Sequence, residues 1–364
     1  MKPIVPSGLR RPWGRWHHRL HRHLCERPAL LPSGEPLLLA VSGGQDSLAL
    51  LALLHDLAPR HHWPLAVLHA DHGWHAGSAA VAGHVAAHCA ALGLPCRIVR
   101  AVELPPGEAA ARRWRYGCLE QEARTLGCGR IVTGHTASDR AETLLFHLIR
   151  GSGLRGLASL RACRPLAPGL TLVRPLLGLR RGDTLACCRE LDLPVRIDPA
   201  NADRRYSRNR VRSEVLPLLE SIRPGAEARL AGLGQVLEDL ESSEAALEAL
   251  ALTGLAAGDG LDLDRWCHLP SALARRLLHR WLLDHSGQAI SAATLAEVQR
   301  QLLASACPRV LPLPGGWQLQ REPPKLVLRR TDPDDLQRSG SGLPGPPLSG
   351  GPGGCDQPPA PGTG

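Results

Sequence analysis

Short apolar runs alternate with helical patterns in the first half of the chain, and this alternation restricts the fold more than any other feature. The strand-like runs are Leu37–Val41, Leu65–Ala70, Cys96–Val102 and Arg130–Thr133. The helical patterns that follow them are Asp46–Leu57, Ser78–Leu92, Glu108–Leu126 and Asp139–Ile149. Strands that alternate with helices of this length predict an α/β fold with a doubly wound parallel sheet. Such sheets bind ligands at the carboxyl ends of their strands, so the chemistry is expected there.

Arginine supplies nearly all of the positive charge. The 364 residues carry a formal charge of +9, and lysine occurs only at Lys2 and Lys325. A Gly-x-x-x-x-Gly-Lys-Ser/Thr loop is therefore absent, which excludes an ordinary P-loop NTPase. Guanidinium groups suit phosphate, but a bias in genome base composition also raises the arginine content. Charge alone leaves a nucleic-acid partner open.

The cysteines and the hydropathy pattern indicate a cytoplasmic protein. Eleven cysteines occur without any Cys-x-x-Cys pair, which favours reduced thiols and disfavours a zinc or iron–sulfur site built on such pairs. No apolar run reaches the ~18 residues of a membrane-spanning helix, so no membrane partner is expected.

Four regions follow one another along the chain. A basic segment, 1–35, contains apolar residues at the spacing of an amphipathic helix, namely Leu9, Trp13, Trp16, Leu20 and Leu24. This helix packs on the first domain, forms an RNA-contacting arm, or belongs to a transit peptide. We expect the α/β domain at 36–220 and a smaller, mainly helical domain at 221–330. The smaller domain is expected to end in a strand pair, Val310–Leu313 with Leu326–Leu328, and to have one helix with a core face of Leu277, Leu278, Trp281 and Leu282. The Gly/Pro-rich tail at 331–364 is expected to be disordered.

One short motif at the end of the first strand carries most of the functional signal. It consists of Ser42, Gly43, Gly44, Gln45, Asp46 and Ser47. The glycines let backbone N–H groups approach an anion, the serines add hydroxyl groups, and the next helix begins at the same place. Asp46 repels phosphate, which points to Mg²⁺ bridging. A tight turn with an aspartate cap is the alternative.

This motif resembles the signature of the ATP pyrophosphatases, and later motifs narrow the resemblance to the tRNA(Ile)-lysidine synthetases. These motifs are His69–Gly73, Ala111–Tyr116, Gly134–Thr143, Arg150–Leu157, Arg174–Leu177, Asp198–Arg212 and Val215–Pro217. They span about 36–220 in order, and the series is specific although no single motif is.

The resemblance implies a defined reaction. ATP adenylates the C2 oxygen of the wobble cytidine in a tRNA(Ile) with a CAU anticodon. The ε-amine of free L-lysine then displaces AMP and leaves lysidine, which pairs with A rather than G. ATP and Mg²⁺ are the implied co-substrate and metal, and the resemblance is compatible with a homodimer.

Site residues are carried over by position. The resemblance implies that residues 42–47 hold the ATP phosphates with Asp46 on Mg²⁺, and that Asp46, His135 and Asp139 are catalytic. It further implies that residues 221–330 help to bind tRNA. Candidate tRNA contacts in the first domain are Arg112, Arg115, Arg208, Asn209 and Arg212.

The chain departs from the family pattern in one motif and leaves two other functions to consider. Thr136, Ser138 and Arg140 stand where the family usually has a second His and an Asp-Asp-Gln run. The alternatives are a tRNA thiolase with the same nucleotide domain and a catalytically degenerate tRNA-binding protein. The arginine-rich stretch Thr143–Gly182 contains no acidic residue, and it is interpreted as a tRNA contact or as a solvated loop.

Overall fold

The structure is a computed structural model that describes residues 2–6, 11–73, 77–103, 107–158, 160–195, 207–304 and 308–331. The chain divides into two compact units, Met1–Ser243 and Glu244–Gly364. The expected disordered tail after Thr331, as well as Leu9, lies outside the described residues. The functional division expected at residue 220 stays a prediction. Within the described ranges, no helix is long and apolar enough to cross a membrane.

A six-stranded sheet forms the centre of the first unit. Its strands are β1 (Leu37–Ala40), β2 (Leu65–Asp71), β3 (Cys96–Arg100), β4 (Arg130–Thr133), β5 (Cys163–Ala167) and β6 (Leu170–Val173). They lie in the order β3-β2-β1-β4-β6-β5. Every neighbouring pair is parallel except β5 with β6. The predicted α/β fold with a doubly wound parallel sheet is confirmed.

The strands β5 and β6 were not predicted from the sequence. They lie in the arginine-rich stretch, and β5 contains Arg164 and Pro165, so its pattern is not that of an apolar strand. Proline is tolerated there because β5 is an edge strand and pairs on one side only. An antiparallel edge strand is a common addition to a parallel sheet.

Among the described residues, ten α-helices begin in the first unit, namely the amino-terminal one, the four expected from the alternation and five later ones. They are α1 (Arg15–Glu26), α2 (Gln45–His61), α3 (Ser78–Ala91), α4 (Gly107–Leu126), α5 (Ala137–Ile149), α6 (Leu154–Leu157), α7 (Arg181–Glu190), α8 (Ser207–Arg210), α9 (Leu216–Ile222) and α10 (Ala226–Gly254). The boundary between the two units falls inside α10.

Successive leucines of β1 contribute to two different apolar cores, one on each face of the sheet. Leu37 and Leu39 belong to a core shared with α1, α2 and α7, whereas Leu38 belongs to one that includes Leu119 and Ala123 of α4. All three leucines are fully buried. A strand covered on both faces has to be apolar at every position, which explains the unbroken run of the sequence.

The amino-terminal helix α1 packs against the core of the first unit. This was one of the three alternatives that the sequence left open for it. Trp16, Leu20 and Leu24 are buried in the same core as α2. The helix α2 is itself buried from Ser47 to Ala58, which agrees with a sequence that is apolar on all sides.

The chain reverses its direction of travel across the sheet between β1 and β4. It runs outward from β1 through β2 to β3, and then returns to place β4 on the other side of β1. Such a switch point opens a crevice at the carboxyl ends of the two strands. The turns after β1 and β4, residues 41–44 and 134–136, meet at this crevice.

The second unit has its own sheet and its own apolar core. Its strands are β7 (Ala256–Ala257), β8 (Gly260–Asp262), β9 (Val310–Leu313), β10 (Trp317–Glu322) and β11 (Lys325–Arg330), and its helices are α11 (Leu263–Cys267), α12 (Ser271–Ser286) and α13 (Ala292–Leu302). The strands form an antiparallel sheet in the order β7-β8-β11-β10-β9.

The expected terminal strand pair was wrong in its pairing and its extent. The strand β10 lies between β9 and β11, so these two do not pair with each other. Polar residues on both faces of β10 concealed it, and β7 and β8 are too short to produce a pattern. The expected core face of α12 is confirmed, since Leu277, Leu278, Trp281 and Leu282 are all buried.

We expect Gly134→Ala to distort the crevice. A Cβ atom on Gly134 would lie 2.8 Å from the carbonyl oxygen of Asp46, and backbone atoms cannot rotate away. We expect a loss of about 1–3 kcal/mol in the free energy of unfolding together with weaker ATP binding. Chemical denaturation and ATP titration measure the two effects.

Gly117→Ala is the matched control. Gly117 lies within α4, and a Cβ there meets no atom within 4 Å, so this substitution should stabilise the protein by about 0.5–1 kcal/mol. Equal stability and equal ATP affinity of the two variants would contradict the importance of the close approach.

Candidate nucleotide-binding and catalytic site

The turn after β1 is held by the two serine hydroxyl groups predicted to bind phosphate. Ser47 Oγ accepts a hydrogen bond from the backbone N–H of Ser42 at 3.2 Å and donates to the carbonyl oxygen of Gly44 at 2.9 Å. The hydroxyl groups of Ser42 and Ser47 lie 3.2 Å apart. The turn therefore has a fixed shape at the point where α2 begins.

Gly43 is required by both conformation and space. Its φ is +86°, in the left-handed region that favours glycine. A Cβ atom on this residue would lie 2.8 Å from Cγ1 of Val81. The turn thus packs against α3 with no room for a side chain, and its backbone N–H groups stay accessible to an anion.

Asp46 points toward α7, where two side chains bind its carboxylate. Arg181 Nη2 lies 3.1 Å from Asp46 Oδ2, and the hydroxyl group of Thr184 donates to Oδ1. Burial raises the pKa of Asp46, and the nearby charge of Asp139 acts in the same direction, whereas Arg181 and Thr184 act against the shift. The carboxylate is therefore held in a partly desolvated position beside a cation.

Gln45 connects the same turn to α7. Its side-chain amide donates to the carbonyl oxygen of Arg181 at 2.8 Å and to the hydroxyl group of Thr184 at 3.1 Å. Together with the Asp46 contacts, these bonds join the start of α2 to the first turn of α7.

His135 follows β4 and faces several cations. Its Nδ1 lies 2.9 Å from Oγ1 of Thr133. Burial lowers the pKa of His135 far below its usual range, and Arg174, Arg208 and Arg112 lower it further, although Asp139 opposes them. The imidazole is consequently neutral at pH 7 and is suited to hydrogen bonding rather than to carrying a proton.

Asp139 lies in the first turn of α5 and is ionised. Its Oδ2 accepts hydrogen bonds from the backbone N–H of Thr136 at 2.8 Å and from the hydroxyl group of Thr136 at 2.9 Å. Burial alone would raise the pKa of Asp139, but the charges of Arg208 and Arg181 and the hydrogen bond from the backbone of Thr136 hold it below its ordinary value. The N-terminus of α5 thus carries a fixed negative charge.

Glu142, one turn further along α5, is buried and binds two arginines. Arg212 grips both carboxylate oxygens, with Nε 2.6 Å from Oε1 and Nη2 2.9 Å from Oε2. Arg208 adds a contact of 3.3 Å and also lies 3.4 Å from Asp139 Oδ1. Arg212 stands in a single turn of π-helix, Val211–Val215, a distortion that is common at functional sites.

A second group of arginines surrounds Tyr116. The guanidinium carbon of Arg112 lies 5.0 Å from the ring centre and that of Arg164 lies 5.9 Å from it. Arg174 is 1% exposed and donates from Nη1 to the carbonyl oxygen of Arg161 at 2.6 Å. Three arginine side chains near one ring make the surroundings of His135 positive. This positive charge explains part of the lowered pKa of His135.

The structure brings together most of the site residues expected from the sequence. Residues 42–47, His135 and Asp139 lie at the switch point, and Arg208 and Arg212 reach the same place through Asp139 and Glu142. Arg112 acts electrostatically on His135. Arg115 and Asn209 are half-buried, and their expected tRNA contacts stay predictions, as do those of the arginines already named.

Two residues of this crevice were not recognised from the sequence. Thr184 gave no signal, because a single threonine in a helix pattern has no functional meaning by itself. Arg181 was noticed only as a member of the arginine-rich stretch, and its contact with Asp46 depends on the docking of α7 against α2. Asp198–Tyr206, which belong to the last family motif, lie outside the described residues.

The three departures from the family pattern all make defined contacts. Thr136 caps α5, and Ser138 Oγ accepts from the backbone N–H of Arg181 at 2.9 Å and donates to Glu227. Arg140 is buried and binds Glu238 of α10 at 2.7 Å. These residues join α5 to α7 and α10 and leave Asp139 in place.

The crevice fits a magnesium nucleotide. Gly43 and Gly134 allow a close approach of the chain where a Cβ atom would overlap Val81 and Asp46, the serine hydroxyls line the turn, and Asp46 offers carboxylate oxygens. Within the described ranges, no three His, Cys, Asp or Glu side chains form a group that could hold a metal ion. Mg²⁺ in nucleotide sites commonly binds one or two carboxylates together with phosphate oxygens and waters, so a single carboxylate such as that of Asp46 is compatible with such a site.

Two family models match the chain. A PP-loop domain model matches residues 18–219, and a model described as TilS substrate binding domain matches residues 261–329. A tRNA(Ile)-lysidine synthase from Parasynechococcus marenigrum is 47% identical over 322 residues, which cover 87% of this chain and 95% of the relative. Another from Gloeobacter violaceus is 46% identical over 296 residues, which cover 81% and 91% respectively.

A solved structure shares the fold. The U34-tRNA thiolase NcsA from Methanococcus maripaludis, described with its 4Fe-4S cluster, matches with a TM-score of 0.52 at 16% identity. The match covers 65% of this chain and 87% of the thiolase. At this identity the similarity concerns the fold alone.

We expect Arg212→Ala to destabilise the first unit. The side chain of Glu142 is 1% exposed. When Arg212 and its two hydrogen bonds are removed, this buried carboxylate is paired with Arg208 alone. Removing one partner of a buried pair costs about 3–5 kcal/mol, and we expect the lower part of this range because Arg208 remains. Denaturant unfolding measures the loss.

Arg210→Ala is the matched control for this variant. Arg210 is exposed and pairs with Glu214 on the surface at 3.2 Å, a contact worth less than about 1 kcal/mol. If both variants unfold at the same denaturant concentration, the Glu142 pair is not a structural centre of the site.

Proposed function

This chain belongs to the tRNA(Ile)-lysidine synthase family, and from that premise we propose that it joins free L-lysine to C2 of the wobble cytidine of the CAU-anticodon tRNA(Ile). The products are lysidine in the tRNA, AMP and pyrophosphate, and codon recognition changes from AUG to AUA. The observation that carries this proposal is the meeting of the 42–47 turn with His135 and Asp139 at one switch point. The chain spans nearly the full length of the relatives described above.

The first step is the adenylation of the tRNA. The C2 oxygen of cytidine attacks the α-phosphorus of ATP, and pyrophosphate leaves with the electron pair of the broken P–O bond. A carbonyl oxygen is a poor leaving group, and the phosphoryl group converts it into a good one. Residues 42–47 would hold the phosphates through backbone N–H and hydroxyl groups, and nearby arginines would stabilise the charge that develops.

Magnesium would be bound by Asp46. The ion supplies charge neutralisation of the departing pyrophosphate. Asp46 is paired with Arg181 at 3.1 Å, so a metal at this carboxylate requires the guanidinium to turn away. Arg181 would then be free to contact phosphate, so its ion pair with Asp46 would be replaced by an ion pair with phosphate.

The second step is the displacement of AMP by lysine. The ε-amine attacks C2 and the C–O bond to the adenylate breaks, after which the amine releases a proton. Asp139 is ionised, because the charges of Arg208 and Arg181 hold its pKa low against the effect of burial, and its carboxylate would orient the attacking amine by accepting a hydrogen bond from it. His135 is neutral, so it contributes a hydrogen bond without repelling the amine.

Recognition of tRNA would involve both units. In the first unit the candidates are Arg112, Arg115, Arg208, Asn209 and Arg212. In the second unit the candidate region is 261–329, which matches the substrate binding domain model. Arginine side chains can bind phosphate in two-bond geometry, so these contacts position the tRNA backbone rather than read its bases.

The remaining expectations follow from the reaction. We expect the protein to act in the cytoplasm, where tRNA, ATP and lysine are present together, and we keep the homodimer as a prediction of the family resemblance. The thiolase alternative has less support, because the similarity to the thiolase concerns the fold alone and the sequence contains no Cys-x-x-Cys pair.

Transfer of labelled lysine to a CAU-anticodon tRNA(Ile) transcript tests the proposed function. In the presence of ATP and Mg²⁺ we expect lysine to enter this tRNA and release one pyrophosphate for each lysine. The elongator methionine tRNA, which has the same anticodon, should accept none. Binding of the tRNA without lysine incorporation or pyrophosphate release would indicate the degenerate alternative instead.

Asp46→Asn tests the metal role. The amide keeps the size of the side chain and removes its charge, so we expect lysine transfer to fall by about 10²-fold or more and the Mg²⁺ concentration for half-maximal rate to rise. Glu120→Gln, which removes the charge of a carboxylate in α4 that pairs with Arg124, is the control. A wild-type Mg²⁺ dependence in Asp46→Asn would remove Asp46 from the metal site.

A further inference from the structure

A basic groove lies on the first unit between α1, α5 and the beginning of α10. Its volume is about 360 Å³. Small residues such as Ala162, Ala231 and Gly232 form its floor. Its basic lining consists of Arg19, His23, Arg27, Arg140 and Arg180. No acidic side chain is among the described residues that line it.

Neighbouring carboxylates neutralise only part of this charge. Arg140 pairs with Glu238 at 2.7 Å, and Arg19 and Arg180 share Asp183 at 3.5 Å and 3.9 Å. Two carboxylates thus serve three guanidinium groups. A concave surface with excess charge of one sign concentrates the field inside it.

Arg27 has the least compensated charge of the groove. It is exposed, and among the described residues no carboxylate lies within ion-pair distance of its guanidinium. Burial lowers the pKa of the neighbouring His23, and the charges of Arg27 and Arg140 lower it further, against the opposing effect of Glu26. Cations crowd this groove without a matching set of anions.

The groove lies next to the crevice. Two pairs of consecutive residues connect them, with one member of each pair on either side. Ala137 and Arg180 line the groove, while their chain neighbours Ser138 and Arg181 bond to each other on the crevice side. Arg181 in turn contacts Asp46. The groove and the crevice therefore share the contact between α5 and α7.

We propose that this groove binds the phosphodiester backbone of the tRNA substrate next to the nucleotide that reacts. The inference rests on the proposed function, since it assigns a backbone path to the same RNA. Several cations along an open groove of this volume suit successive phosphates of one strand better than a single free phosphate. The helix α1 thereby acts both as a part of the core and as one wall of an RNA site.

Arg27→Ala, which changes the residue directly after α1, is the test variant, and Arg22→Ala in the last turns of α1 is the matched control. Both arginines are exposed, but Arg22 does not line the groove. The probe is a CAU-anticodon tRNA(Ile) transcript, with binding measured over a range of salt concentrations. Loss of one phosphate contact should raise Kd about fivefold near physiological salt and reduce the slope of log Kd against log salt by about 1.

Kinetics separate this role from a structural or catalytic one. For Arg27→Ala we expect the KM for tRNA to rise by a similar factor, with kcat at saturating tRNA and the affinity for ATP unchanged. Arg27→Glu should have a larger effect in the same direction. Circular dichroism and ATP binding check that each variant is folded.

Three results would overturn the inference. These are equal Kd values and salt slopes for Arg27→Ala and Arg22→Ala, an effect of Arg27→Glu on kcat alone, and a wild-type protein that does not bind the transcript. Inorganic phosphate that competes with the transcript equally in wild type and Arg27→Ala would also place the RNA elsewhere. If the wild type binds the tRNA but transfers no lysine, the proposed function fails while the comparison of Kd values remains valid.

Discussion

The close approach of Gly134 to the backbone of Asp46 is the contact on which the site depends. The strands β1 and β4 pair in parallel up to Ala40 and Thr133, so the turns that follow them leave the sheet at the same height. A Cβ atom at Gly134 would overlap the carbonyl oxygen of Asp46. This lack of a side chain allows the nucleotide turn and the His135–Asp139 segment to share one crevice.

Several arginines around this crevice have structural roles. Arg212 binds buried Glu142 with two hydrogen bonds, and Arg140 joins α5 to α10 through Glu238. Arg174 is fully enclosed and uses a backbone carbonyl oxygen. A guanidinium group keeps its charge when buried and offers several donors in a plane. Part of the positive charge is therefore structural, and only the remainder is available to RNA.

The departures from the family pattern show how a site keeps its geometry while individual residues change. Thr136 provides the helix cap and binds the carboxylate of Asp139. Ser138 replaces an acidic side chain with a small one that bonds to Arg181. Gly234 on α10 leaves room for the stem of Arg140, since a Cβ there would lie 2.8 Å from Arg140 Cγ. The substitutions form connections between helices, and the residues proposed for chemistry stay in position.

The sequence by itself determined the α/β class, the positions of β1 to β4 and the nucleotide turn, because strand and helix periodicities and a glycine-rich turn are local properties. It also determined which segments meet at the switch point, since parallel strands bring their carboxyl ends to one edge. Only the tertiary structure decided that Arg181 and Thr184 bind Asp46, that Arg212 grips Glu142, and that β10 lies between β9 and β11. The side-chain contacts join residues far apart in the chain, and no local pattern specifies which distant partner a given arginine will meet. The strands β9, β10 and β11 are consecutive, but their order depends on how their apolar residues pack into the core of the second unit.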